Sequence, residues 1–228
     1  MIFAVGDLHL DSLGTKPMDV FGDNWINHDF TIFNNWRETV TEEDLVLIPG
    51  DVSWALKLSD AREDLERIDN LPGKKIITKG NHDYWWSSIK KLTDLNLKTI
   101  TFLNNSSYLY DDVAIFGTRG WTSKDVSGFD ESDEVIFKRE ILRMENSIKS
   151  FKGECNYRIF MLHYPPFNQD KSPNEFAKVL EENNIDLCIY GHLHAEGHKF
   201  AVNEKINNVE YRCVASDYID FKPVLIYK

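Results

Sequence analysis

Five short apolar runs, each followed closely by Gly, Asp, Asn or His, constrain the fold of this chain most strongly. The runs are Ile2–Val5, Leu45–Ile48, Lys75–Thr78, Arg158–Leu162 and Leu187–Tyr190. Amphipathic segments with helical spacing lie between several of them, at Phe30–Val40, Ser59–Ile68 and Asn174–Glu182, and Ser59 stands where it could cap its helix. Buried strands that alternate with amphipathic helices are typical of an α/β sheet covered by helices.

The pattern changes after Lys98, where shorter strands follow one another. Strands are predicted at Thr99–Leu103, Ser107–Tyr110 and Val113–Phe116, a helix at Glu134–Phe151, and an antiparallel meander at Lys199–Val202, Val209–Val214 and Val224–Tyr227. Asp111-Asp112 suits a hairpin turn. These elements predict two sheets packed face to face with helices outside, in one domain over residues 1–228. The irregular loop 118–133 is of a kind that is often functional or mobile.

Charge and composition narrow the partners. The net charge of −11 and the absence of a Lys/Arg-rich run disfavour long nucleic acid. The cysteines, Cys155, Cys188 and Cys213, form no CxxC pair and are predicted to be reduced thiols. No apolar segment reaches the roughly 20 residues needed to cross a bilayer, and the start lacks the features of a signal peptide. We therefore expect a cytoplasmic protein without a membrane partner. The sequence does not determine its oligomeric state.

Residues of the metal-ligand type follow the predicted strands. They are Asp7, His9, Asp51, Asn81, His82, Asp83, His163, His192 and His194. Sites in open α/β sheets form at the carboxyl ends of strands, so five segments deliver these groups to one edge. Imidazole and carboxylate together favour Mn, Fe, Co or Zn. Asp51 stands alone at its strand end and is the natural bridge between two cations. We expect no site role for His28 and His198, the remaining histidines.

These blocks together resemble the calcineurin-like metallophosphoesterase superfamily. The matching segments are Gly6-Asp7-Leu8-His9, Gly50-Asp51, Gly80-Asn81-His82-Asp83, His163 and Gly191-His192-Leu193-His194. The resemblance implies a four-layer α-β-β-α sandwich with two mixed sheets. It is closer to small bacterial members than to the protein Ser/Thr phosphatases, since Val52-Ser53-Trp54 replaces their Asp-Arg-Gly and Asp83 their glutamate.

The resemblance also implies a dinuclear centre with Asp51 as the bridge. One ion would be held by Asp7, His9, Asp51 and His194, and the other by Asp51, Asn81, His163 and His192. Both ions are expected to be manganese, with Fe, Zn, Co or Mg as alternatives. A hydroxide bridging the ions would attack the phosphorus of a phosphomonoester or phosphodiester. His82 would be a catalytic group outside the coordination sphere, and Asp83 would orient it by a hydrogen bond.

Substrate contacts are predicted from the surrounding loops. Arg119 is the candidate phosphate clamp, against the alternative of a surface salt bridge. Tyr84 and Trp121 belong to an aromatic rim that either stacks a flat group of the substrate or simply walls the site, and the second reading is preferred.

Functions of several classes fit this sequence. The leading one is hydrolysis of a small phosphorylated substrate. A nuclease or cyclic-nucleotide phosphodiesterase acting on short substrates is an alternative. A non-catalytic binding module that reuses the fold, or a structural metal site, is a third class. The complete set of candidate ligands argues against a degenerate module, and ligands contributed by loops argue against a closed structural site.

Overall fold

The computed structural model describes residues 1–228, and its first sheet has five strands in the order β11-β1-β2-β3-β4. The strands are β1 (Ile2–Ala4), β2 (Leu45–Ile48), β3 (Lys74–Ile77), β4 (Ile100–Phe102) and β11 (Val224–Tyr227). Strands β1 to β4 run parallel, and the C-terminal strand β11 pairs antiparallel with β1. The parallel strands therefore end at one edge of this sheet.

The second sheet has six strands in the order β5-β6-β7-β8-β10-β9. Its strands are β5 (Ser107–Tyr110), β6 (Val113–Thr118), β7 (Tyr157–Leu162), β8 (Leu187–Tyr190), β9 (Lys205–Ile206) and β10 (Val209–Cys213). The four central strands run parallel, and the edge strands β5 and β9 run antiparallel to their neighbours. The predicted turn at Asp111-Asp112 joins β5 to β6, with Asp111 in the left-handed region at φ 52°.

Five α-helices and several short 3₁₀ helices connect the strands. The α-helices are α1 (His28–Thr39), α2 (Leu58–Asp69), α3 (Ile89–Thr93), α4 (Glu131–Ser150) and α5 (Glu175–Glu182). The 3₁₀ helices cover Met18–Phe21, Asp23–Trp25, Ala195–Phe200 and Ser216–Ile219. Helix α4 begins with a capping box, in which the Asp130 carboxylate accepts from the Ser132 and Asp133 amides and the Asp133 carboxylate accepts from the Asp130 amide.

Three hydrophobic clusters confirm the four-layer arrangement of two sheets between helices. Alternate residues of each strand point to opposite faces, so Ile2 and Ala4 face the second sheet whereas Phe3 and Val5 face α1 and α2. Fourteen buried residues form the layer between the sheets, 22 lie under the first set of helices and 19 under α4 and α5. Burying each large apolar side chain stabilises the fold by roughly 1.5–3 kcal/mol.

The structure corrects several local predictions. No strand forms at the predicted Lys199–Val202, where the first two residues end the 3₁₀ helix Ala195–Phe200 and the other two lie just beyond it. The tail is not a meander, because β10 runs parallel to β8 and β11 joins the other sheet. Ser59 is not a cap, since α2 begins at Leu58 and has no side-chain cap. The loop predicted at 118–133 is shorter at both ends, and helix α3 was not predicted.

None of the helices combines the length and the apolar character that crossing a membrane requires.

Candidate metal centre

The seven candidate ligands lie where the two sheets meet, just beyond the carboxyl ends of their parallel strands. The Gly6 amide at the end of β1 donates to the Val214 carbonyl at the end of β10 (2.7 Å), which joins the edges of the two sheets. Residues from the first sheet therefore face residues from the second. The sequence placed these residues at strand ends, and the structure brings all of them to one centre.

One group of ligands surrounds the Asp7 carboxylate. His9 Nε2 lies 3.2 Å from His194 Nε2, and His194 Nε2 lies 3.5 Å from Asp7 Oδ1. Asp51 Oδ2 lies 3.9 Å from His9 Nε2. Asp7, His9 and His194 each offer an atom within 4.8 Å of the others, which is close enough for one cation. This is the first of the two sets that the resemblance implies.

A second group gathers around the Asn81 carboxamide. Asn81 Oδ1 lies 2.6 Å from His163 Nε2 and 2.9 Å from His192 Nδ1. Asp51 Oδ2 lies 3.3 Å from His163 Nε2 and is the same oxygen that faces His9 in the first group. Asp51 thus stands between the two groups, in the place expected of a bridging carboxylate.

The donor set fits cations, because in the neutral form of the histidines lone pairs face lone pairs in both groups. His163 Nδ1 lies 3.0 Å from the Pro49 carbonyl, so its proton is on Nδ1 and the lone pair of Nε2 points at Asn81 Oδ1. His194 is fixed in the same way, by a 2.7 Å contact between its Nδ1 and a carboxylate. Its Nε2 lone pair therefore points at His9 and Asp7. Acceptors so close repel one another unless positive charge lies between them.

In the cation-free protein a second proton on His163 and on His194 supplies this positive charge, and a bound cation would displace it. Burial alone would lower the pKa of His163, but the adjacent carboxylates outweigh burial and raise it to about 9. Burial is likewise outweighed at His194, where hydrogen bonds to carboxylates raise the pKa to about 10. Burial lowers the pKa of His192 to about 3. Burial works against Asp51, yet the charge on His163 holds the Asp51 pKa well below its usual range.

The ligand loops adopt backbone conformations that side chains other than glycine rarely take. Asp7, His9, Asp51 and His192 have φ values of 55°, 45°, 52° and 71°. Such residues cost of order 1–3 kcal/mol each and persist only where the surroundings hold them. Close backbone approach adds to this constraint, since a Cβ on Gly80 would lie 2.1 Å from Asp51 Oδ1. Glycine at position 80 is therefore required by the position of the Asp51 carboxylate.

Asp83 does not orient His82, which corrects the role expected from the sequence. Its fully buried carboxylate accepts hydrogen bonds from five N–H groups instead. The donors are the backbone amides of Gly80, Asp51, Val52 and Ser53 and the indole of Trp85. The His82 Nδ1 atom has no partner. Asp83 lies three residues beyond Gly80 on a tight turn, so its side chain points back under the Asp51 loop and braces it.

His82 lies at the mouth of the centre, outside both ligand groups. Its backbone N–H donates to Asp51 Oδ1 at 2.7 Å, which fixes the residue beside the bridge position. Its ring packs on Trp54, with 4.3 Å between the centroids, and Trp54 also stacks on His9 at 4.9 Å. Tyr84 is 59% exposed and meets the His82 ring edge-on at 6.3 Å. Trp54 therefore walls the site, and Tyr84 stands at its rim.

Arg119 and Trp121 lie behind the second ligand group. The Arg119 guanidinium pairs with the buried Glu140 carboxylate at 3.4 Å and lies 4.4 Å over the Trp121 ring. The Trp121 indole donates to Asp133 and its ring packs against Tyr164. The alternative reading of Arg119 as a salt bridge thus matches its contacts, although Glu140 is fully buried and only 15% of the Arg119 side chain is exposed. A phosphate clamp would have to share the guanidinium with Glu140.

Three residues near the centre were not among the predicted site residues. Asp217 Oδ1 lies 2.7 Å from His194 Nδ1, and His198 Nε2 lies 3.1 Å from Asp217 Oδ2. His28 Nε2 contacts the backbone carbonyls of Leu8 and His9 at 3.1 and 3.2 Å, so neither His28 nor His198 is remote from the site. Asp217 follows the carboxyl end of β10, the same signal as the other strands, but the prediction of a meander concealed it.

Comparison with known proteins agrees with this geometry. The family profile described as calcineurin-like phosphoesterase matches residues 1–196. No curated protein matches the sequence.

Several solved structures share the fold at low identity. One is the protein of unknown function AQ665 from Aquifex aeolicus, at 17% identity and a TM-score of 0.52, covering 98% of this chain and 94% of that one. Another is the phosphopantetheinyl hydrolase PptH from Mycobacterium tuberculosis, at 13% identity and a TM-score of 0.56, covering 94% and 88%. A third is GAP50, the anchor in the inner membrane complex of Plasmodium, at 14% identity and a TM-score of 0.52, covering 94% and 71%.

Proposed function

Since the chain belongs to the calcineurin-like phosphoesterase family and is thus a hydrolase acting on phosphoester bonds, we propose that it cleaves a small phosphomonoester or phosphodiester at two divalent cations. The observation that carries the proposal is the convergence of nitrogen and oxygen atoms able to bind a cation in two adjacent groups that share Asp51. One group of converging ligands would suit a single ion. Two groups that share one carboxylate suit two neighbouring ions.

The first ion would be held by Asp7, His9, Asp51 and His194, and the second by Asp51, Asn81, His163 and His192. Bound there, the ions would lower the pKa of a coordinated water towards neutrality, so that it can attack phosphorus, and would offset the charge of the phosphate. Nitrogen and oxygen ligands without thiolate suit Mn, Fe, Co or Zn. We take manganese as the first candidate, with Fe, Zn, Co or Mg as alternatives.

His82 is the residue that we expect to act on the substrate. Hydrolysis breaks the ester P–O bond, forms a new P–O bond to the oxygen of water and delivers a proton to the departing oxygen. Burial lowers the pKa of His82, so the free ring is neutral at pH 7 and still carries one N–H. That N–H can donate to a phosphate oxygen as negative charge develops on it.

The partner is best described as a small phosphorylated molecule. The net charge of −11 repels long polyanions, so nuclease activity would be confined to short substrates. Both monoesters and diesters suit a phosphate bound across two cations, and the measurements below separate them.

Metal analysis combined with an activity panel tests the proposal. The purified protein, loaded with Mn²⁺, would be assayed with p-nitrophenyl phosphate, its bis ester, cyclic nucleotides and a phosphopeptide. We expect two ions per chain and hydrolysis of at least one small ester. Asp51→Asn should lose both, because it removes the shared ligand. Asp44→Asn should retain both, since Asp44 is also buried but lies at the amino end of β2.

His82→Ala separates binding from turnover. It should keep two ions and lower kcat by roughly 10²–10⁴-fold, the usual contribution of one acid–base group. Loss of both ions in this variant would show that His82 is a ligand. A wild-type protein that binds two ions but hydrolyses nothing in the panel would favour the binding-module alternative.

A further inference from the structure

An uncharged pocket opens directly beside the second ligand group. It has a volume of about 280 Å³, near the lower end of the range for small-molecule sites. His192 and Tyr164 form its inner wall, and their rings lie 4.2 Å apart. Because His192 Nδ1 also contacts Asn81 Oδ1, the pocket begins where the second cation would lie.

The lining of this pocket is neutral in a strongly charged protein. None of its 11 residues is Asp, Glu, Lys or Arg, although 28% of the chain is charged, which would give about three. A neighbouring depression shares Asn168 but is lined by Lys124, Asp125 and Asp170 and has no hydrophobic residue. The charged side chains between the two cavities therefore line the neighbouring depression and not the pocket beside the metal centre.

Two carboxamides of the pocket leave their oxygen atoms free. Asn168 Nδ2 donates to Ser172 Oγ at 2.9 Å, and Gln169 Nε2 donates to the Asp125 carbonyl at 2.7 Å. No protein group donates to the carboxamide oxygen of either residue. These oxygens can accept from an N–H or O–H of a ligand, and the lining holds no Lys or Arg to pair with a carboxylate. Val126, Phe167 and Phe200 add apolar surface to the lining.

The pocket is also anchored, which suits a binding site. The Asp125 carboxylate accepts from the Gln169 amide at 2.8 Å, so the loop after β6 is fastened to the segment after β7. A fixed pocket loses little conformational entropy when a ligand enters.

We propose that this pocket binds the organic group of the substrate and selects an uncharged group that carries hydrogen-bond donors, such as an amide or a hydroxyl. The inference rests on the proposed function, because the phosphate would bind at the cations while the rest of the molecule extends past His192. It names a substrate class: phosphate esters of neutral, partly apolar amides or alcohols. Esters with an anionic organic group are the class it excludes.

Two matched esters test the selection. They are 4-carbamoylphenyl phosphate and 4-carboxyphenyl phosphate, which have nearly the same shape and differ in the charge of one group. We expect the Mn²⁺-loaded protein to hydrolyse the carbamoyl ester with a kcat/KM at least about tenfold higher, because the carboxylate would be desolvated in a pocket without a cation. Val126→Lys should reduce that ratio at least about tenfold by placing a cation in the pocket.

Leu142→Lys is the control, since Leu142 is 59% exposed on α4 outside the pocket and receives the same charge. It should leave the ratio at the wild-type value. If Val126→Lys does not fold, as judged by circular dichroism, Phe200→Lys serves the same purpose at a more exposed position of the pocket.

The outcomes distinguish the two proposals. Hydrolysis of both esters at similar kcat/KM by the wild type would overturn the selection and leave the proposed function intact. A wild-type preference that neither lysine in the pocket changes would overturn the assignment of this pocket. Failure of the metal-loaded protein to hydrolyse any ester, including p-nitrophenyl phosphate, would overturn the proposed function itself.

Discussion

Replacing Asp83 by asparagine tests how the ligand loops are held in place. Asp83 Oδ2 accepts from the amides of Asp51 (2.9 Å) and Gly80 (2.7 Å). Its Oδ1 accepts from the amides of Val52 (2.8 Å) and Ser53 (3.3 Å) and from an indole N–H. Asparagine keeps a single oxygen, so in either orientation its NH₂ group faces at least two buried donors. Aspartate is therefore the residue that this environment requires.

The loss of stability follows from the number of N–H donors left without an acceptor. Each buried group left without a partner costs about 1–3 kcal/mol, so Asp83→Asn should lose about 2–6 kcal/mol of stability. Burial and the charge of Asp51 raise the pKa of Asp83 to about 6, so removing its charge relieves some repulsion when no cation is present. We therefore expect the larger loss in the metal-loaded protein. At roughly 2–4 °C per kcal/mol, its Tm should fall by at least about 4 °C.

Urea denaturation in Mn²⁺ and in EDTA measures this loss, and p-nitrophenyl phosphate turnover is followed in parallel. His82→Ala is the comparison, because His82 has no bond to Asp83 and its ring is partly exposed. It should retain wild-type stability within about 0.5 kcal/mol, as surface substitutions usually do. The reasoning is refuted if Asp83→Asn keeps full stability and metal content but turns over as slowly as His82→Ala. That result would restore the orienting role suggested by the sequence.

Three further predictions concern the same scaffold. Gly80→Ala should abolish binding of both ions and activity, as measured by metal analysis and turnover, because its Cβ would lie 2.1 Å from Asp51 Oδ1. Asp217→Ala should weaken metal binding about 10–100-fold in a chelator competition, because His194 loses the partner that fixes its Nδ1–H. Burial lowers the pKa of Lys75 to about 8. Between about pH 8 and 10.5 the unfolded state therefore binds more protons than the folded state, so wild-type stability should rise with pH. In urea titrations, Lys75→Met should remove up to about 3 kcal/mol of that rise.

Each of these has its own control. Gly197→Ala meets nothing closer than 3.8 Å and should bind metal as the wild type does. Asp217→Asn keeps an acceptor oxygen and should recover part of the affinity lost in the alanine variant, and equal losses in both would count against an acceptor role. A pH slope in Lys75→Met that equals the wild-type slope would show that other groups produce it.

The candidate ligands could be found from the sequence because the signal is local. A strand end is marked by an apolar run followed by glycine and a polar residue, as at Val5-Gly6-Asp7 and Tyr190-Gly191-His192. The period-two alternation that separates Phe3 from Ala4 also follows from the chain alone, so the layered α/β fold was predictable. Helix ends were less certain, since α4 begins three residues earlier than its apolar spacing indicated.

The contacts that the sequence did not predict depend on which strands pair and in which direction. The segment Val209–Cys213 alternates like an antiparallel strand, yet it pairs parallel with β8 and so delivers Asp217 to the metal centre. Asp83 is adjacent to His82 in sequence but points beneath the Asp51 loop, because a turn at Gly80 reverses its direction.

The neutral pocket shows the same division. Its walls come from the loop after β6, the segment after β7 and the segment after β8 up to the end of its 3₁₀ helix, which lie far apart along the chain. Each segment reads locally as an irregular loop. The sequence by itself determined which residues stand at the strand ends, because backbone periodicity and turn chemistry act over a few residues. Only the tertiary structure decided what those residues contact, because strand pairing and loop packing are set by burial and hydrogen bonding between distant segments.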